Sequence, residues 1–417
     1  MWDELPIPSV KFKYEFPYIK LMVVQRMYKY RLYPSAKQKI RLLKIFKHCK
    51  FVYNELLGLN EKLWVTKKFD FDSLVKDIKI CHPEISDEVH SQVLQNVGDR
   101  LSKAFDNFFR RIKERKKGKK VNAGFPRFKS RIQSIIYPQS GFKFVSDGKL
   151  FCSKIGNIPI ILHRIPRGKA KTLAIKVNNA GQWFAVFSCE VEMPVVEHPN
   201  KDKSVGIDVG LTNFATLTNG TSIPNPHHLV RAERKLKRLQ RRLSRKVKGS
   251  KNRGKARFRL ARQHLKVANQ RSDFLHKLSR SLALRYGKIS VEDLNIKGMV
   301  RNHCVAKHIS DASWGSFKQM LSYKEVALGG QLIEKNPRGT SQTCSGCGNI
   351  MEMPLKKKLF TCSRCGLSLH RDINASFNIQ GRAGLARTNS PVDIEPLSPI
   401  SGRASSMVEA GTIPNSR

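Results

Sequence analysis

Two sets of residues in this sequence have types and spacing that could do chemistry: three acids set against apolar stretches, and two close pairs of cysteines. Asp208 ends the apolar part of VGIDVG, Glu292 ends ISVED with Asp293 beside it, and Asp372 lies in HRDINASFNI. An acid at the end of a buried strand is costly unless something cationic faces it. Three such acids from separate segments offer hard oxygen ligands to two Mg²⁺ ions. An ion pair of that kind, roughly 3.5–4 Å apart, activates water and stabilises the leaving oxygen in phosphodiester hydrolysis. Taken singly, each acid also fits a plainer part: a turn or cap at Asp208, a solvated strand end at Glu292, a helix N-cap at Asp372. Their combination with the charge of the chain favours the metal reading.

The cysteines Cys344, Cys347, Cys362 and Cys365 have the spacing C-x₂-C-x₁₄-C-x₂-C. Two thiolate pairs on tight knuckles can close a tetrahedron around one Zn²⁺, and Gly346, Gly348 and Gly366 suit the turns that aim them inward. With all four positions taken by Cys, the zinc is structural and holds an insert too small to fold unaided. A chance cluster or a redox pair is the competing account. The other five cysteines (Cys49, Cys81, Cys152, Cys189, Cys304) are scattered singly and read as small buried hydrophobes.

The 417 residues carry 78 Lys+Arg against 32 Asp+Glu, a formal net charge of +46. Self-repulsion of that size calls for a polyanion, and RNA or DNA is the obvious one. No apolar run approaches the roughly 18–20 residues that span a bilayer, and the start lacks the pattern of a secretion signal. An intracellular protein is expected. Whether Met1 or Met22 is the native start is open.

The elements that must position these residues are legible in outline. Residues 23–33 alternate as a strand, Ser35 caps a helix with Ile40, Leu43, Phe46, Val52 and Leu56 on its apolar face, and another helix fits 86–115. The loop 110–131 holds 11 Lys/Arg. Residues 171–192 read as two strands joined by an Asn-Asn-Ala-Gly turn, followed by a charged linker, HPNKDK. Residues 204–217 form a buried hairpin, and 228–286 an antiparallel helical pair broken at KGSKNRGK. Its stretch 231–280 has 20 Lys/Arg and two acids, Glu233 and Asp273. A strand at 287–292, a helix at 314–328 and a strand at 331–335 follow, and the composition after Gly384 is that of a disordered tail.

With these residues in view, the chain resembles the TnpB family, RNA-guided nucleases encoded by insertion sequences and related to compact type V CRISPR effectors. The likeness runs from about Arg26 to Gly384 through YKYRLYPSAKQK, CKFVYNELL, GFPRFK, GIDVGLTNFATL, VEDLNIKGM, TSQTCSGCG with CSRCG, and HRDINASFNI. It departs in the leader 1–21 and at Ser376, where the family more often has Ala. The resemblance implies an α+β multidomain protein. Its parts would be an arm and first WED strand (1–33), a helical REC domain (34–125), a β-barrel-like WED domain (126–200), a RuvC/RNase H-like nuclease domain (201–338), a zinc ribbon (339–368), the last nuclease motif (369–384) and a tail (385–417). It places the catalytic acids on Asp208, Glu292 and Asp372, and implies a guide RNA from the transposon end and a double-stranded DNA target beside a short adjacent motif. Monomer and dimer both remain open.

The resemblance also suggests nucleic-acid contacts. Tyr53, Gln92 and Gln95 lie on helices where family members meet the adjacent motif, and amides can read adenine edges; helix-surface filler is the plainer reading. Arg127 and Lys129, flanked by Phe125 and Phe128, combine charge with stacking surface, and core packing of both rings explains them equally well. Arg238, Arg241 and Arg242 belong to the basic helical pair. A solvated charged face is the usual fate of such a run, but the scarcity of acids prevents internal pairing. Two other functions stand against a guided nuclease: a catalytically silent guided repressor on the same fold, and a transposase proper. The chain lacks a His-hydrophobe-His motif with a nucleophilic Tyr, which counts against the second.

Overall fold

The computed structural model describes residues 21–63, 70–145, 148–354 and 357–385. The leader before Leu21 and the tail beyond Leu385 lie outside the described residues. The chain divides into two compact units, with the boundary between Pro194 and Val195.

The first unit begins with β1 (Leu21–Leu32), whose outer positions Val23 and Met27 are exposed while Tyr28, Tyr30 and Leu32 alternate into the core, the period of two expected of a strand. Four helices follow: α1 (Ala36–Leu63), α2 (Phe71–Cys81), α3 (Pro83–Glu88) and α4 (Ser91–Lys116). Ser35 and Gln38 form a reciprocal capping box at the start of α1: the Ser35 hydroxyl accepts from Gln38 N and the Gln38 amide oxygen accepts from Ser35 N. The apolar face of α1 is the expected one at Phe46, Val52 and Leu56 but differs in its first turns. Leu42, Ile45, Cys49, Val52 and Leu56 face the core, whereas Ile40 and Leu43 are 68% and 55% exposed. The expected helix over 86–115 is also two helices, because Val89 takes extended backbone between α3 and α4. Val89 and Leu94, at the positions of a hydrophobic staple around the cap His90, are both buried.

The remaining strands are β2 (Ser134–Pro138), β3 (Phe142–Val145), β4 (Lys149–Cys152), β5 (Gly156–Ile161), β6 (Lys169–Val177) and β7 (Trp183–Pro194). They join β1 in a seven-stranded sheet of order β2-β6-β7-β1-β5-β4-β3. The Asn-Asn-Ala-Gly turn joins β6 to β7 as expected, with the Asn178 side-chain oxygen accepting from Ala180 N and Gln182 N. One apolar core runs through helices and sheet alike, with the Phe46 and Trp183 rings 5.7 Å apart.

The second unit is built on a five-stranded sheet, β10-β9-β8-β11-β12, formed by β8 (Ser204–Val209), β9 (Asn213–Leu217), β10 (Ser222–Pro224), β11 (Lys288–Glu292) and β12 (Gln331–Lys335). Strands β8, β11 and β12 are parallel, and β9 and β10 turn back antiparallel. Between β10 and β11 come the basic helices α5 (His228–Ser244) and α6 (Lys251–Arg285); α7 (Ile296–Met299), α8 (His303–Ala312) and α9 (Trp314–Leu328) precede β12. A two-stranded ribbon, β13 (Leu359–Thr361) and β14 (Ser368–His370), leads directly into α10 (Arg371–Arg382). The expected charged linker exposes Lys201, Asp202 and Lys203 but is anchored at its start: His198 is 2% exposed and its Nε2 lies 2.8 Å from the Ala283 carbonyl oxygen. A buried ring needs such a partner, and the end of α6 supplies it. Of the five lone cysteines, Cys49, Cys152 and Cys189 are buried, but Cys81 and Cys304 are exposed. They sit at helix positions whose neighbours Ile80 and His303 are exposed too, so their type misled the expectation. Among the described residues no helix is long and apolar enough to cross a membrane.

Candidate active site and metal centre

Strands β8 and β11 lie side by side in parallel register, Lys288 opposite Ser204 through Val291 opposite Ile207. The next position on each strand is Glu292 and Asp208. Residues in register on neighbouring strands project to the same face, so the two acids end adjacent strands together. Ser204–Ile207 and Ile289–Val291 are buried, and the strands begin to emerge at Asp208 and Glu292.

Helix α10 brings the third acid. It runs antiparallel across β8 in matched steps. The Gln380 amide donates to the Ser204 hydroxyl at 2.8 Å. Two residues along the strand, Gly206 lies under the Ser376 carbonyl, where a Cβ would fall 2.1 Å from the oxygen. Two further strand residues span about 6.6 Å and four helix residues about 6 Å, which sets Asp208 beside Asp372. The start of α10 is held by His370, whose Nδ1 accepts from Asp372 N at 3.3 Å. Asp372 thus occupies the first turn, favoured for a carboxylate by the helix dipole, and the cap itself is His370.

Asp208 feels the charge of both other acids. Burial pushes the Asp208 carboxyl well above the usual carboxylate range, and the charges of Glu292 and Asp372 push it further, offset in part by Arg371. Burial also raises Glu292, while the Thr340 hydroxyl and Arg382 draw it back. Asp293 plays no part: its carboxylate pairs with Lys318 at 3.0 Å, and that pairing lowers it. Three buried or half-buried carboxylates at one end of β8, β11 and α10, with arginine as the offsetting charge, offer hard oxygens that a divalent cation would neutralise, although among the described residues only the four cysteines are drawn tightly together as a ligand set.

The four ribbon cysteines do come together. Their sulfurs all lie within 4.8 Å of one another, with Cys344–Cys365 and Cys347–Cys362 each at 3.6 Å. Ligands 2.3 Å from a tetrahedral zinc are separated by about 3.8 Å, so the set fits that ion closely. Backbone N–H groups of Cys365 and Arg364 hold the Cys362 thiol down to about 6. At Cys365 the Leu367 N–H acts in the same direction, but the crowding sulfurs of Cys347, Cys344 and Cys362 win and push it up to about 12. A cation among them would remove that conflict.

The OrfB_IS605 family, described as "Probable transposase", matches residues 186–303; a "Cas12f1-like, TNB domain" matches 314–379; and the helix-turn-helix domain of OrfB_IS605 matches 22–68. The described part of that last stretch is a strand followed by one long helix. A Streptomyces pristinaespiralis protein named "Putative RNA-guided DNA endonuclease" is 34% identical over 89% of this chain and 92% of its own length. This chain belongs to the TnpB family. Another relative, "Putative RNA-guided DNA endonuclease InsQ" of Escherichia coli (strain K12), is 29% identical over 90% of this chain and 98% of its own. The "TnpB-like protein L79" of Acanthamoeba polyphaga mimivirus is 29% identical over 43% of this chain and 37% of its own.

The residues expected to touch nucleic acid in this TnpB-family protein are placed variously. Tyr53 is 5% exposed, and the Lys129 ammonium lies 5.3 Å from its ring centroid. The Gln92 side-chain oxygen accepts from the Ser140 hydroxyl at 2.8 Å, and Gln95 is exposed. Phe125 packs edge-on against Phe105 and Phe108, whereas Phe128 is 55% exposed beside exposed Arg127 and Lys129. The ring pair therefore divides between core and surface. Asn54 pins the main chain at Lys129, accepting from its N at 2.8 Å and donating to its O at 3.1 Å. Arg238, Arg241 and Arg242 are exposed on α5, whose other side packs Leu236, Leu239 and Leu243 against α6.

Several residues that build the site were not singled out from the sequence: Gly206, Gln380, Thr340, Asn374 and Asn378. Gly206 had a signal, since glycine inside an apolar strand marks close backbone approach. The polar residues of α10 had a weaker one, their four-residue spacing on one side of the helix.

Proposed function

We propose that this TnpB-family protein is an RNA-guided DNA endonuclease of a transposable element, with a RuvC/RNase H-like site that cuts target DNA next to a short adjacent motif. The observation that carries the reading is the meeting of Asp208, Glu292 and Asp372 at one end of β8 and β11. The acids converge from three segments far apart in the chain, an arrangement that a bound cation would stabilise. Bound Mg²⁺, two ions in the usual nuclease arrangement, would supply an activated water and stabilise the leaving oxygen.

The chain's own residues define the rest. Asp208, which feels the charge of both other acids, would hold the ions together with Glu292 and Asp372; Glu292 is oriented by the Thr340 hydroxyl, and Asp372 is held by the first turn of α10. The cysteine ribbon would hold one structural Zn²⁺ and fix the chain on either side of it. Guide RNA from the transposon end and the DNA target would be held by basic surface such as Arg238, Arg241 and Arg242, with base pairing reading the sequence and protein the adjacent motif. Retention of all three acids weighs against the silent repressor.

The test uses the protein purified with its co-expressed RNA and offered duplex DNA bearing the guide match. Cleavage should need Mg²⁺, and Asp208→Ala should lower it by ~10³-fold or more, as expected when several kcal/mol of transition-state stabilisation are lost. Cutting that survives both chelator and Asp208→Ala refutes the site.

A further inference from the structure

The buried hydroxyl of Thr340 links the cysteine ribbon to the carboxylate cluster. Thr340 stands just before the first ribbon pair, is 3% exposed, and its Oγ1 donates to Glu292 Oε1 at 2.6 Å. The same Oγ1 lies 3.1 Å from the Pro337 carbonyl, so one hydroxyl proton chooses between two acceptors, and the shorter contact goes to Glu292. The Thr340 backbone is fixed separately. Its carbonyl accepts from Asn378 Nδ2 at 2.8 Å, and Asn378 also donates to the Thr343 carbonyl at 2.6 Å. One turn earlier on α10, Asn374 donates to the Thr343 carbonyl and accepts from Ser345 N. One turn later, Arg382 donates to the Asn336 and Arg338 carbonyls.

Residues 374, 378 and 382 recur every four positions and so form one edge of the helix. That edge grips the main chain from Asn336 to Ser345, the entry to the ribbon. The helix that carries Asp372 therefore also holds the segment that orients Glu292.

We propose that Thr340 is a positioning residue for Glu292, through which the base of the ribbon sets the affinity of the carboxylate site for divalent metal. The inference rests on the reading of Glu292 as a metal-holding carboxylate. A hydroxyl donated to one oxygen fixes the rotation of the carboxylate and leaves the other oxygen to face the cation. Hydrogen bonds of this kind to a ligand typically govern about 10–100-fold in metal affinity or activity.

The experiment compares wild type with Thr340→Val, Thr340→Ser and Glu292→Gln, each purified with its RNA. Two readouts are taken. One is the Mg²⁺ concentration for half-maximal DNA cleavage. The other is Fe²⁺-dependent oxidative scission of the polypeptide near residues 208, 292 and 372, which reports metal at this site and not metal on the RNA. Thr340→Val should raise half-saturation in both readouts by ~10-fold, with Thr340→Ser close to wild type. Zinc content and melting temperature should not change, because the Asn378 contact uses the backbone of residue 340. Unchanged metal dependence in Thr340→Val, or a Ser variant as impaired as Val, overturns the inference. If Glu292→Gln leaves cleavage and scission as in wild type, the reading of Glu292 itself has failed, and the Thr340 inference goes with it.

Discussion

Gly206 on β8 and Ser376 on α10 touch backbone to backbone: a Cβ on Gly206 would lie 2.1 Å from the Ser376 carbonyl oxygen and 3.0 Å from the Gln380 Cβ. The contact is the pivot of the site, because Asp208 lies two residues along the strand and Asp372 one turn back along the helix. How near the two acids come is decided by how low α10 rides on the sheet, and that depends on the missing side chain.

A Gly206→Val substitution should therefore lift α10 from β8 and part Asp208 from Asp372. Cleavage should drop by ~100-fold or more, the scale of loss produced by about 1 Å of misplacement. RNA should still copurify, since the first unit and the surface arginines of α5 are untouched. Guided cleavage and RNA yield, measured on one preparation, check this. Near-normal cleavage by the Val variant contradicts it.

Replacing one ribbon ligand, Cys362→Ser, should bring bound zinc well below one equivalent by elemental analysis. A structural four-cysteine zinc is worth about 10–16 kcal/mol to so small a fold. Limited proteolysis should then cut within 344–365, where wild type resists, and cleavage of DNA should fall with the loss of the ribbon. A Cys362→Ser protein with a full equivalent of zinc and an unchanged digest excludes the site.

Glu325 on α9 makes a prediction about pH. Its side chain is fully buried, and neither carboxylate oxygen has a hydrogen-bond partner among the described residues. Burial pushes its carboxyl up to about 8. The folded state therefore holds this proton more tightly than the unfolded chain does. The stability it contributes is full below the ordinary glutamate range and is lost as pH rises towards about 8. Glu325→Gln should flatten the decline of melting temperature between pH 5 and pH 8 (roughly the window between unfolded and folded values) and raise the midpoint at the upper end. Neighbouring Lys324, lowered to about 8 by burial, contributes the opposite slope only above that pH. Melting curves of the two proteins across that range decide; parallel declines refute the assignment.

Much of this was legible in the residues themselves. The apolar strands ending in Asp208 and Glu292, the α9 and β12 boundaries, the helical pair broken near Gly249 and the cysteine tetrad all follow from local pattern. These signals are short-range: strand alternation, helix periodicity and metal-ligand spacing act over a few residues, so they survive without tertiary information. The apolar face of α1 did not follow in the same way. Its candidate positions Ile40 and Leu43 are as apolar as Leu42 and Ile45, and only the partner surface decides which side is covered.

By itself, then, the amino-acid order determined which acids and thiols were available, the polyanion-seeking charge and the run of elements. The tertiary structure decided which atoms meet. It put Glu292 and not Asp293 against the other acids, because strand register sends alternate side chains to opposite faces and Lys318 claims the second carboxylate. It joined Thr340 to Glu292 across 48 residues of chain and Gln380 to Ser204 across 176. Contacts at such separations arise from packing a helix on a sheet, a property that no window of neighbouring residues contains.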